Sequence, residues 1–302
     1  VTTNGGHRHR TLEERTGLYD RVNALRSQGS EIAEIATQLG MSRRDVSYWL
    51  RVNRPCRATY VPDLTPGPDL AYLVGAYLGD GRTAGEQDKK VRFNVADPEF
   101  ANLLNPIVAR VLRTEPKPVK MEKGFYCVNY DSAVLYDYLQ QPLTALMPLV
   151  DSLPAKFLRG FFDAEGYTSP RLDHGLRRFS GVAVGVANTN FEYLRCIEQN
   201  MERLGMRTFH QRTHAVGEKM TIRGKTFVRK RDVHHLRIVS DDSVQTFQGN
   251  VGFSIPVKKQ KLDDLIWIRG NLDPEKGYEW FISHYELRNS RWIRKSQQSN
   301  DL

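Results

Sequence analysis

The chain has 302 residues, 40% of them hydrophobic, and its 44 Lys and Arg outnumber 35 Asp and Glu for a formal charge of +9. That apolar content excludes wholesale disorder, and no apolar run approaches the ~20 residues of a bilayer span, so neither a membrane segment nor a secretory leader is expected. Cys56, Cys127 and Cys196 are scattered and odd in number, which argues against a disulfide framework or a cysteine metal site and for a reducing interior.

Residues 1–60 read as a small helical unit. Residues 31–39 have helical period, Gly40 breaks it, and Ser42 is placed to N-cap a second helix running to about Arg51. Ala36 is small where two helices would cross, Ile35 is apolar, and Val46 and Trp49 lock the second helix onto the first. Arg43, Arg44, Ser47, Tyr48 and Arg51 are then left outward. The pattern resembles a DNA-binding helix-turn-helix, whose second helix enters the major groove, and those five residues are its expected DNA contacts. Pro55, Pro62, Pro66 and Pro68 mark an extended stretch, and residues 61–68 are assigned as linker.

The remainder repeats itself. Asp69 and Ser152 head two apolar helical segments that close on Asp80-Gly81 and Glu165-Gly166. Further on, the segment from Val95 to Phe100 matches that from Val186 to Phe191, a strand, a turn and a helix start. Asp131-Ser132 is then matched by Asp242-Ser243 at a second strand-to-helix turn. Each half reads as helix, two strands, helix, two strands, helix. The expected fold class is α+β, a tandem αββαββα repeat with a four-stranded sheet per copy, at residues 69–148 and 149–271, followed by a helical tail at 272–302. Lys90, Arg92 and Asn94 alternate with Val91, Phe93 and Val95, and His235 and Arg237 with Leu236 and Ile238. Each set therefore predicts a strand with one packed and one open face. Between Arg203 and Arg237 there are ten Lys or Arg against two acids, Glu218 and Asp232. Phe209, Phe227, Leu236 and Ile238, interleaved there, are expected to fasten a sheet whose other face stays cationic, as a backbone-phosphate surface requires.

Within the repeated helices, Ala71, Gly75 and Gly79 are spaced by four, as are Gly160 and Ala164. Small residues at that spacing let two helix backbones approach closely. Asp80 and Glu165, 85 residues apart in sequence, would emerge side by side at the two C-terminal ends. There the helix dipole is already negative. Two such acids resist ionising unless a cation joins them, and Mg²⁺, with Mn²⁺ as substitute, is the expected ion.

The strings LVGAYLGDG from Leu73 and LRGFFDAEG from Leu158 resemble the motif of the LAGLIDADG homing endonuclease family, over about residues 70–270. The first copy departs from it at Leu78, where an acid is common. The resemblance implies a monomeric, single-chain pseudo-dimer whose two sheets saddle the major groove of double-stranded DNA. It also implies metal-dependent, site-specific double-strand breaks by phosphodiester hydrolysis with short 3′ overhangs, as in intron homing. Asp80 and Glu165 would be the catalytic metal ligands. DNA contacts are expected from Lys90, Arg92, Asn94, Arg177, Arg178, Arg207, Arg212, Lys219, Lys225, Arg229, Arg231, His235 and Arg237. The segment from Gly252 resembles one in the intein-like branch whose lysine polarises the attacking water. That makes Lys258 the third catalytic candidate, with Lys259 and Lys261 as alternatives. Neither terminus resembles a splicing junction, so a free-standing enzyme is expected, intracellular and associated with the cytoplasm or nucleoid of a prokaryotic or phage host, or with an organelle. A DNA-binding transcription regulator on the same scaffold and an intron RNA maturase are the competing readings.

Overall fold

The structure is a computed structural model that describes residues 12–52, 62–84, 89–222, 225–288 and 291–295. Residues 1–11 and 53–60 of the expected N-terminal unit, with Cys56 among them, lie outside the described residues, as does the side chain of Lys225.

Three N-terminal helices, α1 (Leu12–Ser27), α2 (Ile32–Gln38) and α3 (Arg43–Val52), share a core of Val22, Ile35, Ala36, Leu39, Val46 and Trp49. The start of α2 is fixed by a reciprocal capping box between Glu31 and Glu34. Its end turns on Gly40 at φ +59°, a left-handed conformation that glycine adopts without a Cβ penalty. Ser42 Oγ then accepts from the Asp45 amide at 3.0 Å and opens α3.

The body begins with α4 (Pro68–Asp80), β1 (Gly81–Ala84), β2 (Lys90–Val95), α5 (Pro98–Val111), β3 (Lys120–Glu122), β4 (Phe125–Asp131), α6 (Ala133–Leu139) and α7 (Leu143–Ser152). It continues with α8 (Pro154–Glu165), β5 (Gly166–Asp173), β6 (Arg178–Asn188), α9 (Phe191–Arg203) and β7 (Phe209–His214). The strands β8 (Lys219–Ile222), β9 (Lys225–Val228) and β10 (Val233–Ile238) and the helices α10 (Asp241–Asn250) and α11 (Pro256–Asn271) follow. The chain closes with α12 (Pro274–His284) and a hairpin of β11 (Tyr285–Arg288) and β12 (Arg291–Arg294). Two antiparallel four-stranded sheets result, ordered β1-β2-β4-β3 and β5-β6-β10-β7. With the separate β8–β9 ribbon set aside, the two orders are the same, so the repetition read from sequence is a repetition of topology. One continuous core runs from Leu70 to Tyr285 through both halves. No helix among the described residues is long and apolar enough to cross a membrane.

Several expectations are corrected in detail. Asp69 does not cap α4: Gly67 is the N-cap, and the Asp69 carboxylate takes a two-pronged bond from Arg110 of α5 at 2.7 and 2.8 Å. Ser152 ends α7, its hydroxyl donating to the Leu149 carbonyl, and α8 starts two residues later on Pro154. The expected boundary between residues 148 and 149 therefore falls inside α7. Asp97 caps α5, but in the second half β6 runs on through Asn188 and Asn190 becomes the cap of α9. The matched pair Asp242-Ser243 lies inside the first turn of α10, with Ser240 at the N-cap position; Ser243 is buried and accepts from the Arg207 amide at 2.9 Å. Residues 272–302 hold a hairpin as well as a helix, and the rings of Phe281 and Tyr285 are buried while stacked on each other. Leu236 and Ile238 do fasten the second sheet, whereas Phe209 and Phe227 are about half exposed.

Candidate metal centre and nucleic-acid interface

α4 and α8 cross with backbone against backbone. A Cβ on Gly75 would lie 2.0 Å from the Phe157 carbonyl oxygen, and one on Gly160 would lie 2.0 Å from that of Tyr72. One turn further, a Cβ on Gly79 would lie 2.6 Å from Ala164 Cβ and 3.1 Å from Glu165 Cγ. No other side chain fits at those positions, so the crossing requires the small residues and delivers the last turns of both helices, with Asp80 and Glu165, to one place.

The electrostatics there are adverse to charge. Burial first, and then the negative Asp80, push the Glu165 carboxyl up to about 7. Lys258, in the first turn of α11, pulls the other way. Its ammonium donates to the carbonyl oxygens of Phe162 and Asp163 at 3.1 and 2.6 Å and lies over the Phe253 ring. It thus reinforces the C-terminal end of α8, where the Phe162 carbonyl also accepts from the Gly166 amide. Burial lowers the Lys258 pKa, while Asp163, Asp80, Asp97 and Glu165 raise it, so its charge is felt at both acids. Lys259 and Lys261 are not brought to this place: Lys259 pairs with Asp263 at 2.6 Å and Lys261 donates to the Trp292 carbonyl at 3.2 Å.

Sequence reasoning passed over the support beneath Lys258. Asp163 is buried; it accepts from Tyr72 Oη at 2.7 Å and from the Ser254 amide at 2.9 Å. It thereby ties α4, α8 and the loop before α11 together. Burial raises its pKa against those bonds. The signal was available: an acid directly after the apolar pair Phe161-Phe162, opposite Leu78 of the first copy.

Both sheets present a polar face. On β2, Lys90, Arg92 and Asn94 are half-buried between the buried Val91, Phe93 and Val95. Across the ladder, Lys90 meets Asp131 at 3.6 Å, and Arg92 stands opposite Asn129. Arg92 Nε, Asn94 Oδ1 and Asn129 Oδ1 are buried without a hydrogen-bond partner. On the second sheet Tyr167, Gly185, Arg237 and Phe209 form one register row. Arg237 donates to Gln211 at 2.7 Å and lies over the Phe209 ring, and Gly185 leaves room for it, since a Cβ there would be 2.7 Å from Arg237 Cγ. His235 shares a 3.2 Å bond with Tyr167 Oη, and burial together with the charges of Arg237 and His214 lowers its pKa, so it stands as a neutral polar group and not a cation. Asn129, Tyr167 and Gln211 are members of these faces that the sequence reading did not name.

Other candidates are dispersed. Arg43, Arg44, Ser47, Tyr48 and Arg51 are all exposed on α3. Arg177 stacks on Tyr278 and Arg178 pairs with Glu275 at 2.9 Å, so both are engaged by α12. Arg207 is exposed, and Arg212 pairs with Asp232 at 3.5 Å. Lys219 and Arg231 are exposed and Arg229 half-buried, all on the β8–β9 ribbon or at its base.

The LAGLIDADG-like domain family matches residues 152–252. The chain carries a LAGLIDADG-like domain. The match spans α8, which holds Glu165, to the end of α10, and stops six residues before Lys258. The uncharacterized protein MJ0398 of Methanocaldococcus jannaschii is 27% identical over 268 residues, 82% of this chain and 93% of its own length. The glutamine–fructose-6-phosphate aminotransferase of the same organism is 22% identical over 215 residues, which are 67% of this chain but only 18% of that enzyme. Among solved structures, the homing endonuclease I-DmoI bound to DNA and Ca is 17% identical and covers 65% of this chain and 97% of its own, with a TM-score of 0.44. Full-length DUF199/WhiA from Thermotoga maritima is 14% identical and covers 74% and 68%, also at 0.44. Outside the matched LAGLIDADG segment, the first half repeats its strand order, as the two sheets show.

Proposed function

We propose that this chain is a site-specific, divalent-metal-dependent endonuclease acting on double-stranded DNA. The observation that carries the reading is the meeting of Asp80 and Glu165 at the tips of two helices that touch backbone to backbone, with the Lys258 ammonium behind them. The donors offered are carboxylate oxygens only, and Glu165 ionises with difficulty until a cation compensates Asp80. Such a pair fits a hard cation, Mg²⁺ or Mn²⁺. When bound, the ion polarises a phosphoryl oxygen and lowers the pKa of a water.

The protein's own groups supply the rest. Asp80 and Glu165 would hold the ion, one from each repeat. Two of the three N–H donors of Lys258 are taken by α8 carbonyls, which leaves one for the attacking water or a phosphate oxygen. Lys90 and Arg237 neutralise phosphates along the two sheets. Arg92, Asn94, Asn129 and Gln211 have the donor and acceptor sets that read guanine and adenine edges in the major groove. The exposed cations of α3 add contacts in the manner of a helix-turn-helix.

The test uses a duplex selected from a random pool on the full chain and cloned into a supercoiled plasmid. Linear product is expected with Mg²⁺, and bound but uncut plasmid with EDTA. Asp80→Asn and Glu165→Gln retain binding and lose cleavage. Binding without any cleavage at saturating protein and metal would overturn the nuclease assignment in favour of a DNA-binding regulator.

A further inference from the structure

The two repeats differ most where β7 leads to β10. In the first half the equivalent strands, β3 and β4, are joined by a tight turn at Lys123 and Gly124, with φ of +51° and +82°. In the second half the chain leaves the sheet as a ribbon, β8 against β9, with Lys219 opposite Val228 and Met220 opposite Phe227. Both acids of this basic stretch are consumed at the base of the ribbon. Glu218 accepts from the Ala215 amide at 2.9 Å and shares a bond with His214, and Asp232 accepts from the Val216 amide at 2.7 Å and pairs with Arg212. Among the described residues, Lys219, Lys230 and Arg231 have no carboxylate within ion-pair distance. Val216, Phe227 and Val228 are 60%, 48% and 58% exposed, because a two-stranded ribbon has no core in which to bury them.

We propose that this ribbon is an arm for duplex DNA beyond the stretch covered by the sheets, making the footprint longer on the flank of the second repeat. The proposal rests on the DNA-binding part of the function proposed above. Charge selects a polyanion, and shape selects a groove. One face of the ribbon carries Lys219 with Val228, and the other carries Met220 and Phe227. A two-stranded ribbon is the right width for the major groove, where phosphates line both walls and thymine methyl groups the floor. The strand Lys219–Ile222 extends ~13 Å at ~3.3 Å per residue, enough for about 4 base pairs at ~3.4 Å each.

The experiment is hydroxyl-radical footprinting of the full chain on the selected duplex in EDTA, beside the triple variant Lys219→Glu, Lys230→Glu, Arg231→Glu and a variant with 219–228 replaced by Gly-Gly. Both variants are expected to lose protection of about 4 base pairs at one end only and to keep the rest. The slope of log K against log salt should fall by about 3, near 0.9 for each phosphate contact removed. The charge-reversed variant keeps the backbone of the ribbon, so it reports even if the replacement fails to fold. An unchanged footprint and slope in the charge-reversed variant would overturn the arm while leaving DNA binding intact. A full chain that selects no duplex would overturn the underlying reading instead.

Discussion

Glu165 carries the clearest consequence at the scale of one residue. Its carboxyl ionises near 7 in the fold and near 4.5 in an unfolded chain. The fold therefore holds a proton that the unfolded chain has released, and stability present below pH 4.5 is lost as pH rises through 7. The melting temperature of the metal-free protein is expected to fall between pH 5 and 7.5, and Mg²⁺ to restore more of it at 7.5 than at 5. Glu165→Gln should flatten both effects; an equal Mg²⁺ shift at the two pH values would separate this carboxyl from the ion. Asp163 is shifted the same way, burial raising its pKa against the bonds it accepts from Tyr72 and the Ser254 amide. Tyr72→Phe removes one of these bonds inside the core and is expected to cost about 1–3 kcal/mol in denaturant unfolding. The acidic pair was legible in the sequence because two copies of one motif each end on acid-Gly. The role of Asp163 was not, because its partners lie 91 residues away in both directions.

At the scale of elements, the α4–α8 crossing is the feature that the rest of the site depends on. Gly75→Ala or Gly160→Ala would put a methyl group 2.0 Å from a backbone oxygen that cannot move independently of its helix. We expect each to lower stability by ~3 kcal/mol and to separate Asp80 from Glu165, so that Mg²⁺ no longer raises the melting temperature. Gly249→Ala in α10 and Gly270→Ala in α11 are the controls, since nothing lies within 4 Å of either new Cβ; helix propensity alone favours them by up to ~1 kcal/mol. Loss of stability at the control positions equal to that at Gly75 would show that the penalty is not one of approach. This crossing was readable because spacing by four maps directly onto one helix face. Helix starts were less so: Asp69 and Ser152 look like caps, but an acid can spend its oxygens on a distant arginine and a serine can close the helix before. The second sheet shows the same limit. Alternation identified Leu236 and Ile238 as the packed face, yet Phe209 and Phe227 are equally apolar and lie outside it, one beneath Arg237 and one on the ribbon.

For the whole molecule, the separation of cores decides what can be removed. The cluster around Val46 and Trp49 draws only on α1, α2 and α3, and the body core, beginning at Leu70, holds both sheets and the α4–α8 pair. A chain lacking residues 1–60 keeps every described member of that body core, so it is expected to unfold cooperatively and to retain its Mg²⁺-dependent melting shift. What it loses is charge: Arg43, Arg44 and Arg51 stand exposed on one helix, with Arg51 lying over the Tyr48 ring. If each neutralises one phosphate, truncation should make the slope of log K against log salt shallower by about 3 and weaken binding most at low salt. Cleavage of fully bound duplex should proceed at the rate of the intact chain, because Asp80, Glu165 and Lys258 all belong to the body. Anisotropy titrations across a salt series check the first outcome, and single-turnover cleavage at saturating protein the second. A truncated chain that binds with unchanged slope would detach the three helices from DNA recognition. One that binds normally but cuts slowly would place them in the assembly of the metal centre.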